Sequence, residues 1–111
     1  MISKCLLSKI LDINVTEIGL ITSKVNLWFL CTTESDCINI YELSHLCKQW
    51  TVKNSGWTLQ SYTNERDAGI CRVKVGDGQE INKFIASSEV QATFKATEWV
   101  YTELKNKGKL K

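Results

Sequence analysis

The sequence predicts a single α+β domain, with a mainly antiparallel sheet, helices on both of its faces and the element order α-β-β-α-β-β-β-α. Three observations lead there. Two segments carry apolar residues at helical spacing behind clear capping residues, Asn39 to Ser55 and Ser88 to about Lys107. The chain between and before them is rich in β-branched and aromatic types broken by turn residues. The length, 111 residues, suits one compact domain and is too short for two. A hairpin, a helix, a three-stranded meander and a closing helix form the α+β pattern.

The elements follow in order. Ser3 to Leu11 predicts a short first helix, capped by Ser3, with Leu6, Leu7, Ile10 and Leu11 as its apolar contacts. So short a helix must dock on something to persist in water. Thr16 to Thr22 and Val25 to Thr32 predict a hairpin. In its second strand Leu27, Phe29 and Cys31 face one way and Trp28 and Leu30 the other, so both faces are apolar and the strand is expected to be central. Thr33 to Ile38 is expected to be a polar connection. Asn39 then caps a helix with Glu42 at its third position. Ile40, Leu43, Leu46, Cys47 and Trp50 form one stripe, and Gly56 ends it in a left-handed conformation. Strands are predicted at Trp57 to Tyr62, Gly69 to Val75 and Gln79 to Ala86. The middle one alternates best, Cys71, Val73 and Val75 inward against Arg72 and Lys74 outward, and Gly76-Asp77-Gly78 turns it into the next. The tail 105–111 is basic and expected to fray.

The last helix dominates the reading. Ser88 caps it and Gln91 completes a capping box. On a wheel, Trp99, Ala92, Ala96, Val100, Leu104, Val90, Tyr101 and Phe94 sweep out roughly 220°, against the ~100° of an ordinary surface helix. This surplus means either deep sandwiching within the fold or contact with another chain.

Composition narrows the function classes. Apolar residues make up 43% of the chain and charged residues 23%, which supports a core and argues against wholesale disorder. A formal charge of +2 is too small to imply nucleic acid by itself. No apolar run reaches the roughly 20 residues that cross a bilayer, and Met1 to Leu11 lacks the long apolar core and cleavage site of a signal peptide, so a cytoplasmic protein is expected. Five cysteines at irregular spacing fit reduced thiols. No enzyme chemistry is expected. His45, the sole histidine, and Cys47 point about 160° apart on one helix and cannot form a nucleophile-base pair. Cys31, Cys37, His45 and Cys47 lack the tight pair spacing of a zinc site, so no metal and no cofactor are expected. Glu34 with Asp36, and Glu65 with Asp67, fall in polar connections.

Two binding readings remain. Four tryptophans are a heavy load for so small a domain. Trp28, Phe94, Trp99 and Tyr101 are therefore the candidate protein interface, toward a partner or a second copy in a homodimer. The alternative is nucleic-acid binding through Arg72, Lys74 and Lys83, with Trp57 and Tyr62 as stacking platforms. Against it, acidic residues nearly balance the basic ones and no known nucleic-acid-binding signature is present.

Ile38-Asn39-Ile40-Tyr41-Glu42-Leu43, running on to Cys47-Lys48-Gln49-Trp50, resembles small uncharacterised phage and prophage proteins. So does Phe84-Ile85-Ala86-Ser87-Ser88-Glu89 with Ala92, Ala96, Glu98 and Trp99. The arrangement also resembles phage α-β-α sandwich domains. The resemblance covers about the last two-thirds of the chain and rests on fold residues. It implies a phage accessory protein that acts by binding a host or defence protein, and it carries over no catalytic residue.

Overall fold

The computed structural model describes residues 2–13, 15, 19–22, 28–31, 37–76 and 78–108, with the backbone alone for 19–22, 28–31 and 37. Nine elements follow one another: α1 (Lys4–Leu11), β1 (Gly19–Thr22), β2 (Trp28–Cys31), β3 (Cys37–Asn39), α2 (Ile40–Ser55), β4 (Thr58–Thr63), β5 (Gly69–Lys74), β6 (Glu80–Ala86) and α3 (Glu89–Asn106). The α+β class is as expected.

Helix starts sit where short polar side chains reach free amides. Ser3 Oγ accepts from the Leu6 N–H, Asn39 Oδ1 from Tyr41 and Glu42, and Ser88 Oγ from Gln91. α2 ends on Gly56 at φ 75°, whose N–H reaches the Val52 carbonyl. α3 runs on through Lys105 and Asn106, residues expected to fray, and 109–111 lie outside the described residues.

The strands form two antiparallel sheets, β1-β2-β3 and β4-β5-β6, rather than one. The extra strand, β3, falls at the end of the expected polar connection and pairs Leu30 with Ile38. Three residues are too few to show alternation, so its pairing with β2 is what defines it. β4 and β5 meet through Asn64, whose side-chain oxygen accepts from Arg66 and Ala68. The β5–β6 turn closes with Val75 and Gln79 bonded, and a bulge offsets β6 at Val73/Lys74.

α3 packs on β4, β5 and β6, with α2 beside it, and α1 packs on α2. Leu59, Cys71 and Val73 point from the second sheet into this layer, where they meet Leu43, Cys47, Ala92, Phe94, Ala96 and Val100. α3 is thus apolar on two flanks because it is enclosed on two flanks, by the sheet and by α2. Small residues make the approach close. Gly69 lies so near the start of α3 that an added Cβ would overlap the backbone of Ser88 and Glu89. The expectation of helices on both faces does not extend to the second sheet. Among the described residues no helix packs on its outer face.

Candidate interaction surfaces

The outer face is laid out by register. β5 pairs with β4 through Arg72–Gln60 and Ile70–Tyr62, and with β6 through Arg72–Lys83 and Ile70–Ile85. Side chains alternate along each strand, so Arg72, Lys74 and Lys83 share this face with Tyr62, Ile70 and Ile85. Arg72 and Lys83 are direct cross-strand neighbours. The Arg72 guanidinium sits 5.5 Å from the Tyr62 ring centre, and its Nε forms an ion pair with Glu80 Oε1 at 3.2 Å without hydrogen-bond alignment. Lys83 is exposed, Ile85 is 56% exposed and Ile81, at the bulge, 39%. The structure therefore brings the three basic candidates together, beside the exposed Ile85, which sequence reasoning did not single out as a contact residue. Alternation in β6 carries that signal for Ile85: Lys83 and Ile85 share one parity and Phe84 and Ala86 the other, while the bulge interrupts the alternation at Ile81.

The candidate protein-interface residues do not form one surface. Phe94 is 1% exposed and belongs to the core, which removes it from any contact surface. Trp99 is half-buried, stacked on Trp57 at 5.7 Å between ring centres and tilted against Phe84 at 6.0 Å. Tyr101 lies on the other flank of α3, edge-on to Trp50 at 6.3 Å. Lys107 covers the Trp57 ring and Lys105 the Tyr101 ring. The side chain of Trp28 lies outside the described residues. The aromatic surplus is thus largely spent inside the chain, on both flanks of α3. Trp57, expected beside Tyr62 as a stacking platform, is instead held in the Trp99 stack.

Concave sites offer little chemistry. A groove of about 440 Å³ runs past Ile40, Tyr41, Thr63, Asp67 and the first turn of α3. Within it Glu89 accepts a 2.7 Å hydrogen bond from the Ser61 hydroxyl. His45 opens with Tyr41, Ser44, Lys48 and Glu89 on an adjoining hollow of about 180 Å³. It is exposed, whereas Cys47 is buried at the α2–α3 contact. Burial pushes the Cys47 thiol up to about 12 and the Cys71 thiol up to about 11, although Thr97 and Thr93 hydrogen-bond to them and pull the other way. Neither is a ready nucleophile. The side chains of Cys31 and Cys37 lie outside the described residues. Among the described residues no helix is long and apolar enough to cross a membrane.

Comparison with known proteins returns no match, whether to a family model, a curated protein or a solved structure.

Proposed function

We propose that this protein is a non-enzymatic binding module, and that its contact surface is the outer face of the β4-β5-β6 sheet. The partner is a protein with an apolar patch bordered by carboxylates. One observation carries this reading: Ile85 is 56% exposed on a face that no described helix covers, beside Arg72, Lys74 and Lys83. Exposed aliphatic area with arginine and tyrosine is the composition of an interface core, and the cations select acidic surroundings. A second copy of the chain is a poor occupant. Two-fold pairing of this face would set three cations, offset only by Glu80, against the same three. If the resemblance to phage and prophage proteins holds, such a partner is a host or defence protein in the host cytoplasm.

A second reading has its own support. Arg72 stands directly opposite Lys83, with Lys74 and the Tyr62 ring beside them, and this arrangement could follow a single-stranded nucleic acid.

Capture from host lysate, repeated with Ile85→Glu and with Val52→Glu on the exposed side of α2, tests the first. A partner held by the wild type and Val52→Glu and lost by Ile85→Glu supports the protein reading, with a loss of roughly 2 kcal/mol if Ile85 is a hot spot. A partner held equally by all three refutes it. Labelled oligo-dT and oligo-U, titrated across a salt series, address the second. Three phosphate contacts predict a log–log salt slope of about −2, flattened by Arg72→Gln.

A further inference from the structure

We propose that Asn82 and Lys95 close the outer edge of β6 against strand pairing with a second copy of this chain. Among the described residues β6 is an edge strand, bonded to β5 on one side only. In an antiparallel ladder alternate residues turn their N–H and C=O away from the neighbour. On β6 these are Lys83 and Ile85, and each has one of its two groups occupied by a side chain. The Lys83 N–H donates to Asn82 Oδ1 at 2.8 Å. The Ile85 carbonyl accepts from Lys95 Nζ at 3.3 Å, reached from α3. An edge that carries exposed Ile81 and Ile85 is a template for sheet extension, and charged or self-bonded groups are how such edges are blunted.

The geometry of the blocked pairing is definite. A two-fold axis beside Phe84 sets Lys83 opposite Ile85 of the second copy, and the reverse. The outward N–H and C=O of both residues would then find main-chain partners, with no lysine facing a lysine. Lys95 stands on one of the acceptors this requires and Asn82 covers one of the donors. Pairing would therefore first have to break both bonds and desolvate an ammonium group. The edge is made by main-chain groups of Lys83 and Ile85 whose side chains belong to the outer face proposed for partner binding, and since strand pairing and side-chain contact are read by separate assays, either can fail without the other.

Light scattering over a concentration series, with the double variant Asn82→Ala/Lys95→Ala, tests the proposal. The wild type should stay monomeric, and the folded double variant should double in mass as concentration rises, with the Lys83 and Ile85 amides slowed in hydrogen exchange. A double variant with a native melting transition that remains monomeric overturns it. So does a wild-type dimer with both amides protected. If the double variant does not fold, exchange on the wild type and Asn82→Ala decides. The Lys83 amide should exchange more slowly than that of Ile85 in the wild type and lose that lag in Asn82→Ala. Equal exchange in the wild type overturns the proposal.

Discussion

Replacing Gly69 with alanine puts a methyl group where α3 crosses β5. Gly69 is buried at the first position of β5, between Thr63 and Ala86. An added Cβ would come closer than 3.0 Å to the carbonyl group of Ser88 and the amide nitrogen of Glu89. These are backbone atoms at a helix cap, so no side chain can swing aside to make room. The start of α3 must lift off the sheet, and the cap from Ser88 to Gln91 opens with it. Overpacking costs about 1–3 kcal/mol, and rigid obstruction puts this site at the upper end; loss of the cap adds about 1. We expect a loss of about 3–4 kcal/mol. In urea, with a slope of ~1.5 kcal/mol/M, the midpoint falls by about 2 M. Equilibrium unfolding followed by tryptophan fluorescence measures it. Gly76→Ala is the control, because an added Cβ there meets nothing within 4 Å, and its effect should stay within about 0.5 kcal/mol. A Gly69→Ala protein within 1 kcal/mol of that control would refute the close approach of α3 to β5.

Phe94→Ala should cost about 3–5 kcal/mol by the same assay without changing the solution mass of the native protein, because Phe94 fills the core and meets no partner. Cys47 and Cys71 should stay unlabelled by a thiol reagent in the native protein while exposed Cys5 reacts, and all should react in denaturant. The same two thiols give a pH dependence. Below 9.0, their ordinary value, both are protonated whether folded or unfolded. Above it the unfolded chain releases protons that the folded chain holds until about 11 and 12. Their contribution to stability should therefore fall as pH rises from 9.0, and Cys47→Ala/Cys71→Ala should flatten that decline, read from urea midpoints across pH.

What the sequence discloses here is mostly local. Asn39, Ser88 and Ser3 announce helices because a cap is made within four residues, and Gly56 announces an end because few side chains tolerate its φ of 75°. The Cys71–Arg72–Val73–Lys74 alternation reads correctly because neighbours on a strand face opposite ways. Long-range facts were not legible. A helical wheel gives Phe94 and Trp99 the same weight and cannot say that α2 and the sheet between them enclose the first and leave the second half-open. β3 is too short to carry a period of its own. Arg72 and Lys83 stand eleven residues apart, and only the bulge at Val73/Lys74 fixes them as cross-strand neighbours. The open face follows from what fails to pack on it, which no single segment records.

The core threonines have a consequence of their own. Thr51, Thr93 and Thr97 are buried, and each hydroxyl is bonded to a carbonyl one turn back on its own helix, at 2.8, 2.9 and 2.7 Å. A hydroxyl satisfied in this way asks nothing of the opposite helix as an acceptor. Apart from the Cys47 thiol, which meets the Thr97 hydroxyl, the α2–α3 contact is therefore matched chiefly by shape, like two tiles with plain edges. Drift at these positions should follow side-chain volume: serine, which keeps the hydroxyl that meets a thiol at Thr93 and Thr97, exchanges with threonine at modest cost, while leucine or phenylalanine prises the helices apart.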